Sequence, residues 1–289
     1  MKIKTLKFYT ALCFMMLSMA SMNAQNPINK KDSLAFVNAS WETTVLGRHA
    51  ISKCASIDMF NSTQFISVIE YKAKKYNSAI LQLEDGKLET TDTLAQQEGY
   101  TIAANGSYFN VKTFYPATYV RIGDKTYGET QSKELFRVNG VIGFKDRKGH
   151  KPIIKMCDNT EYDEVTSKWA SVLAAGPILV IDSKRISYDS SKTFFTKRHP
   201  RTLMGYDDKG NIILAVIDGR FPQGIGATID ETAIIAKLLG MKDAINLDGG
   251  GSSTIWSEST GVLNHPYDNR KFDHEGQRKV TNCIAARRR

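Results

Sequence analysis

Three apolar stretches of this chain end in polar loops in which Asn or Asp directly precedes Gly. They are AANGSYFN (103–110), AVIDGR (215–220) and INLDGGGSST (245–254). A strand fixes the backbone at its end while the loop beyond stays open to solvent, so rigid scaffolds display reactive groups at such places. Carboxylates with arginines nearby are the groups that glycosyl transfer beside a phosphate requires. Serine-nucleophile, zinc-protease, P-loop and dinucleotide-binding motifs are missing from the sequence.

The third loop is the most informative, because three glycines follow Asp248. Glycines permit positive φ angles and let a ligand approach backbone N–H groups, which can form an anion-binding nest. The alternative is a tight turn whose polar residues satisfy local backbone groups, but one glycine would suffice for that. We therefore predict that Asp248 is catalytic. The rest of the loop is predicted to bind substrate: Gly249, Gly250, Gly251, Ser252, Ser253 and Thr254.

The second loop offers a carboxylate and a guanidinium two residues apart. Asp218 is a candidate second catalytic carboxylate, and Arg220 presents a bidentate fork for phosphate or carboxylate. Taken alone, the two residues could equally begin a solvated surface turn. Arg201 opens the preceding strand and could point along the same edge as Arg220, whereas His199 is expected to be a solvated loop histidine.

Two further candidates have a structural explanation beside the functional one. Asn105, which precedes Gly106, can hydrogen-bond a sugar hydroxyl or an oxyanion, or it can close a β-turn. Glu231 lies three residues after Thr228 in a T-x-x-E capping box, which explains it without chemistry. A helix N-terminus that follows glycines is also an anion site, so spacing alone leaves both explanations open.

Many strands and few helices are predicted to position these loops. Alternation predicts a strand at 65–71, and a polar turn between 201–206 and 212–217 predicts a hairpin. The strongest helix is expected at 228–239, while 171–181 is typical of one buried strand with a kink at its Gly-Pro pair. The pattern predicts an α+β fold, a single domain with a mixed β-sheet core, a few helices and active loops at the strand ends.

The composition indicates a globular protein, and the first 24 residues indicate that it is exported. The chain has 289 residues, 42% of them hydrophobic and 24% charged, which excludes a disordered or fibrous chain. Residues 1–24 combine lysines, a short apolar run and small residues, which is typical of a secretory signal peptide. We expect residues 25–100 to be an N-terminal region packed on a main domain formed by 101–289. The periplasm or the cell surface is the expected destination.

Charge and cysteine content narrow the possible partners. The net charge is +9, and +6 without the three lysines of the signal segment, with no basic stripe interleaved with aromatic residues. We therefore expect no nucleic-acid partner, and no second segment is long enough to span a membrane. Three cysteines outside the signal segment permit at most one disulfide and lack metal-ligand spacing, and the five histidines are scattered.

From residue 100 onward, the chain resembles the phosphodiester glycosidase family. The segments that carry the resemblance occur in one order: NGSYFN (105–110), RVNGVIGF (137–144), AAGPILV (174–180), RHPRTLMGY (198–206), LAVIDGR (214–220), AINLDGGGSST (244–254), Asn264-His265-Pro266 and RKVTN (278–282). The resemblance implies a hydrolase that cuts the sugar C–O bond of a sugar-1-phosphodiester of the N-acetylglucosamine type. It releases the free sugar and a phosphomonoester, and no cofactor is implied.

The resemblance also implies a cleft. Its residues would be Asn105, Arg201, Asp218, Arg220, Glu231, Asp248 and the loop 249–254, with Asn264 and Arg278 nearby. Asp248 would act as nucleophile or as base, and Glu231 or Asp218 as its partner. Two alternatives remain open: a non-catalytic binder of envelope glycans, and a metal-assisted phosphodiesterase in which Asp218 and Asp248 hold a divalent cation.

Overall fold

The computed structural model describes residues 27–146, 149–188 and 191–289. The predicted signal peptide lies outside these residues. The α-helices of the described residues are α1 (Lys30–Val37), α2 (Thr91–Gln97), α3 (Tyr162–Thr166), α4 (Thr193–Thr196) and α5 (Ile229–Leu238). None of the described helices is long and apolar enough to cross a membrane.

The strands account for most of the regular structure. They are β1 (Glu42–Gly47), β2 (Ala50–Met59), β3 (Ser62–Lys72), β4 (Tyr76–Gln82), β5 (Ile102–Asn105), β6 (Val120–Ile122), β7 (Lys125–Gly128), β8 (Gly140–Phe144), β9 (Pro152–Met156), β10 (Ser171–Ala175), β11 (Ile178–Ile181), β12 (Lys184–Arg185), β13 (Arg201–Tyr206), β14 (Asn211–Ile217), β15 (Asp243–Asn246), β16 (Ile255–Ser257), β17 (Gly261–Val262) and β18 (Asn282–Arg288).

These strands form three sheets, and the pairs between named strands are antiparallel throughout the described residues. The large sheet has the order β1-β2-β3-β14-β13-β15-β11-β12, and the two smaller ones are β7-β6-β10-β8-β9 and β17-β16-β5-β18-β4. The predicted single α+β domain with few helices is confirmed, but its strand pairs are antiparallel where the sequence predicted a mixed β-sheet core. Strands β1 to β4, from the N-terminal region, are members of two of these sheets.

The large sheet is buried on both faces, which explains its nearly continuous apolar strands. Adjacent residues of a strand point to opposite faces. Leu203 and Ile213 therefore pack in a cluster with helices α1 and α5. Met204 and Leu214 face a second cluster shared with the two smaller sheets.

The sequence predicted the local elements of this region well. The hairpin of β13 and β14 encloses the predicted polar turn, and its register pairs Arg201 with Ile217. Helix α5 begins after Thr228 with the predicted capping box. The prediction of one kinked strand at 171–181 was wrong. A cis peptide bond at Gly176-Pro177 separates β10 and β11, which lie in different sheets.

Candidate active site

Asp248 follows strand β15, and its backbone is held from both sides. Its N–H donates to the carbonyl oxygen of Gly106 (2.9 Å), and its carbonyl oxygen accepts from Asn105 Nδ2 (2.8 Å). Asn105 Oδ1 accepts from Thr202 Oγ1 (2.8 Å) and from the Thr254 N–H (3.0 Å). Asn105 is fully buried. Its side-chain amide therefore positions the backbone of Asp248 and is not exposed to a ligand.

The glycine-rich loop does not display its N–H groups as a nest. They are taken up inside the protein: Gly249 donates to Asp248 Oδ1, Gly250 to the Pro200 carbonyl, Ser252 to the Gly249 carbonyl, Ser253 to the Gly250 carbonyl and Thr254 to Asn105 Oδ1. The predicted anion nest is therefore not formed by these groups.

Two of the glycines are required by their surroundings. Gly250 has a φ of +65°, which a side chain would strain, and Arg220 Nη2 lies 3.2 Å from the position a Cβ would take. A Cβ on Gly251 would overlap the ion pair between Asp268 and Arg278. The glycines thus let two arginines approach the loop that carries Asp248.

Several buried polar atoms of this region make no hydrogen bond within the described part of the chain. They are Asn246 Oδ1, Ser253 Oγ and Thr254 Oγ1. Native proteins rarely leave buried polar atoms without partners, and a cluster of them calls for a polar ligand or water. The hydroxyls predicted to bind substrate therefore remain available for that role.

Asp248 itself is half-buried and electrostatically perturbed. Burial raises the pKa of its carboxyl to about 6, although the Ser252 hydroxyl and the guanidinium groups of Arg137 and Arg278 act in the opposite direction. A carboxyl with this pKa is mostly ionised at neutral pH and still close to its titration point. This is the range in which a general base is effective.

Asp218 lies at the end of strand β14 and forms a buried unit with His265. Its Oδ2 accepts from the His265 N–H (3.0 Å) and lies 2.7 Å from His265 Nδ1, while Oδ1 accepts from Asn264 Nδ2 (3.3 Å). Burial raises the pKa of Asp218, and the contacts with His265 oppose that shift. Asn264 Nδ2 also donates to the Ser253 carbonyl (3.0 Å), which joins this unit to the Asp248 loop.

Aromatic rings fix the plane of the His265 ring. Phe272 stacks on it with centroids 3.6 Å apart, and His274 stacks with centroids 4.5 Å apart. Phe65 contacts its edge at 4.7 Å. Because one ring nitrogen faces Asp218 and the ring cannot tilt freely, the carboxylate sets the orientation of the imidazole.

Arg220 and Arg278 reach the Asp248 loop from two sides. Arg220 is exposed and has a φ of +70°, an uncommon conformation for a side chain of this size. Its guanidinium lies over the Tyr267 ring at 5.0 Å. Arg278 Nε and Nη2 donate to both carboxylate oxygens of Asp268, at 2.8 and 2.7 Å.

Arg201 is not brought to the surface of the site. It is 2% exposed, and its guanidinium donates to the carbonyl oxygens of Ala227 (2.9 Å), Phe194 (2.7 Å) and Lys197 (3.1 Å). Burial lowers the pKa of Arg201 to about 10. The structure gives it a structural role, because these carbonyls use the donors that a phosphate would need.

Glu231 is likewise held within the scaffold. Its Oε2 accepts from the Thr228 N–H (2.9 Å), completing the capping box. Arg198 donates to the same carboxylate through Nε (3.0 Å to Oε2) and Nη2 (2.6 Å to Oε1). Of the two explanations for Glu231, the structural one accounts for every described contact of its side chain.

Sequence reasoning missed Arg137 and His265. The guanidinium of Arg137 lies 3.8 Å from the centroid of the Tyr108 ring and donates to Glu134 Oε2 (2.6 Å). Tyr108 Oη accepts from Asn246 Nδ2 (3.0 Å), which brings Arg137 beside the Asp248 strand. Both missed residues lie in segments that carry the family resemblance. The family resemblance was therefore the one sequence signal that could have identified them, because their spacing along the chain gives none.

The described residues contain no group of three or more His, Cys, Asp or Glu side chains that could hold a metal ion. Asp218, one of the two carboxylates considered for a cation, is engaged by Asn264 and His265. The described cysteines, Cys54, Cys157 and Cys283, are free thiols.

Comparison with known proteins identifies the family of this chain. The family model for phosphodiester glycosidases matches residues 98–287. A bovine protein named N-acetylglucosamine-1-phosphodiester alpha-N-acetylglucosaminidase is 25% identical over 190 residues, covering 62% of this chain and 35% of the bovine protein. The chain thus spans about a third of the length of that relative.

Solved structures show the same fold. The catalytic domain of zebrafish N-acetylglucosamine-1-phosphodiester alpha-N-acetylglucosaminidase superposes with a TM-score of 0.65 at 17% identity, covering 86% of this chain and 89% of that one. A hypothetical protein from Synechocystis gives a TM-score of 0.63 at 14% identity, covering 86% of this chain and 64% of the other.

Proposed function

The chain belongs to the phosphodiester glycosidase family, and we propose that it hydrolyses the C–O bond between a sugar and a phosphodiester. The sugar is of the N-acetylglucosamine type, as the name of the bovine relative suggests. The products are the free sugar and a phosphomonoester. The observation that carries the proposal is Asp248, a half-buried carboxylate with a pKa raised to about 6.

The charges around Asp248 suit this bond. Arg137 and Arg278 act electrostatically on its carboxyl, and Arg220 reaches the loop beside Gly250. Guanidinium groups bind phosphate through paired N–H donors and stabilise the negative charge that develops when a phosphate leaves. A phosphate bound by these arginines would present the adjoining anomeric carbon to Asp248.

The groups present at the site can account for each bond that breaks or forms and for each proton that moves. The C–O bond to the phosphate breaks, and its electron pair departs with the phosphomonoester. Asp248 either accepts a proton from the attacking water or attacks the anomeric carbon itself, forming a glycosyl ester that water then hydrolyses. His265 is a candidate for moving a proton, because Asp218 engages only one of its ring nitrogens, Nδ1 (2.7 Å to Asp218 Oδ2).

The product that incorporates oxygen from labelled water shows which bond is cut, and this tests the proposal. The purified protein is incubated with UDP-N-acetylglucosamine, or with another ester of N-acetylglucosamine 1-phosphate, in ¹⁸O-water, with and without EDTA. Label in the free sugar, unaffected by EDTA, is the expected result. Label in the phosphate that is lost with EDTA would show a metal-assisted phosphodiesterase. Saturable binding without product would show a glycan binder.

We also propose that the protein is exported, to the periplasm or the cell surface. The support is the lysine-rich, apolar and small-residue pattern of residues 1–24. Cell fractionation with an intact and a deleted segment tests this proposal, and retention of both forms in the cytoplasm would contradict it.

A further inference from the structure

A second charged surface lies away from the candidate active site. It consists of six exposed cations from three segments, which we call the basic end: Arg48, Lys72, Lys74, Lys75, Arg288 and Arg289. The segments are the turn between β1 and β2, the connection from β3 to β4, and the end of β18. Sequence inspection did not find this cluster, because its three segments are far apart along the chain.

Backbone contacts bring the three segments together. The Lys72 N–H donates to the His49 carbonyl (3.1 Å), and the Arg289 N–H donates to the Lys75 carbonyl (3.2 Å). Arg288 pairs with Tyr76 across the adjoining strands. The cations consequently lie close enough together to act as one surface.

These six cations form no ion pair with a carboxylate of the described residues. The carboxylates of the neighbouring hairpin turn are engaged elsewhere, since Asp207 accepts from Asn211 (2.8 Å) and Asp208 pairs with Lys242 (3.5 Å). No described carboxylate therefore neutralises the positive charge of the basic end, where the Arg289 guanidinium donates to Asn77 Oδ1 (2.8 Å) and to the Tyr76 carbonyl (3.2 Å).

The basic end and the active site lie at opposite ends of the same strands. In the pairing of β3 with β14, Lys72 lies opposite Asn211, whereas the Asp218 N–H donates to the Phe65 carbonyl (2.9 Å). The seven-residue step from Phe65 to Lys72 corresponds to roughly 23 Å of strand. The basic end is thus too far from Asp248 to hold the scissile phosphate.

We propose that the basic end binds the surface of an anionic lipid membrane. Lys and Arg side chains close to an anionic leaflet are attracted to its lipid headgroups, and the attraction grows with their number. The aromatic residues within this region, Tyr71 and Tyr76, are 1% and 3% exposed, so bases of a nucleic acid would find no stacking partner there. Docking through this end directs the active site away from the lipid.

Vesicle sedimentation with matched variants tests this inference. The purified protein is mixed with phosphatidylcholine vesicles with and without phosphatidylglycerol, at low and at physiological salt. One variant carries Lys72→Gln, Lys74→Gln and Lys75→Gln. The control variant carries Lys145→Gln, Lys155→Gln and Lys168→Gln, which removes the same charge from exposed lysines elsewhere.

The wild type is expected to bind only the vesicles that contain phosphatidylglycerol, and less tightly as salt rises. At about fivefold per cation, the first variant should lose about a hundredfold in partitioning, and the control severalfold at most. Hydrolysis of a small soluble substrate should be the same in all three proteins.

Equal losses in both variants would overturn the inference, because net charge alone would then explain binding. So would binding to polyphosphate or DNA without binding to vesicles, which would show a polymer partner. Absence of binding to anionic vesicles at low salt would also overturn it. None of these readouts depends on the proposed hydrolysis.

Discussion

Glu231 and Asp248 look alike in the sequence but occupy opposite environments. Each is an acidic residue beside a glycine-containing stretch. The Glu231 carboxylate is saturated by Arg198 and the Thr228 N–H. Asp248 keeps a raised pKa and lies near buried hydroxyls that have no partner among the described residues.

The difference shows what separates a structural carboxylate from a reactive one. Saturation by protein donors lowers the free energy of the ionised form and leaves no lone pair for a substrate. Incomplete solvation leaves the charge costly, so a substrate or a proton can relieve that cost. Arg201 and Arg220 repeat the contrast, since three carbonyls surround the first and the second is exposed at the site.

The largest effect that tests the comparison is on turnover. Asp248→Asn should lower kcat by about 10²–10⁴-fold, because the variant cannot act as a base or a nucleophile. Glu231→Gln, of equal charge change, should keep kcat within severalfold. Steady-state kinetics on the same sugar phosphodiester compare the two. A similar loss in both variants would remove the distinction between the two carboxylates.

A smaller effect is expected on substrate selectivity. Arg220→Lys should reduce kcat/KM for a phosphodiester by about tenfold to a hundredfold, because a point charge replaces a bidentate fork. A simple aryl glycoside without phosphate should be affected less. Arg270→Lys is the control, since Arg270 is also exposed with a positive φ (59°). Equal losses on both substrates would argue against phosphate binding by Arg220.

Glu231→Ala should act on stability more than on chemistry. It removes the acceptor of the Thr228 N–H and the ion-pair partner of Arg198. The side chain of Glu231 is 15% exposed and that of Arg198 is 29% exposed. We expect a loss of about 2 kcal/mol in the free energy of unfolding, observed as a melting temperature lower by about 5 °C. An unchanged melting temperature, or a kcat that falls with it, would contradict the structural assignment.

Much of the fold could be predicted from local sequence signals. The capping box at Thr228 and the polar turn at 207–210 depend on neighbouring residues, and both were found correctly. The break at Gly176-Pro177 was misread, because an apolar run does not show that its two halves join different sheets. Local pattern defines elements, and tertiary pairing decides where they go.

The site was predicted at the level of loops but not at the level of roles. The segments around Asp248 and Asp218 do meet through Asn264, as expected. The sequence could not show that Asn105 and Arg201 are buried and used by the protein, because their partners come from distant segments. His265 was missed for the same reason, since its partner Asp218 is 47 positions away.

Asp248 should also make stability depend on pH, with an effect no larger than that of Glu231→Ala. Its pKa is raised in the folded protein from 3.8 to about 6, so the folded state binds more protons than the unfolded state between these values. This group therefore destabilises the fold increasingly as pH rises from about 4 to 6. Allowing for its partial exposure, the cost above pH 6 is about 2 kcal/mol.

Asp248→Asn removes this cost, so its melting temperature should match that of the wild type near pH 4 and exceed it by about 5 °C at pH 7. Calorimetry across this pH range measures the difference. The gain follows from the same incomplete solvation that makes the carboxylate reactive, whereas replacing the saturated Glu231 should give a loss. A variant less stable than the wild type at pH 7 would show that protein contacts stabilise the Asp248 carboxylate, and the contrast between the two carboxylates would then fail.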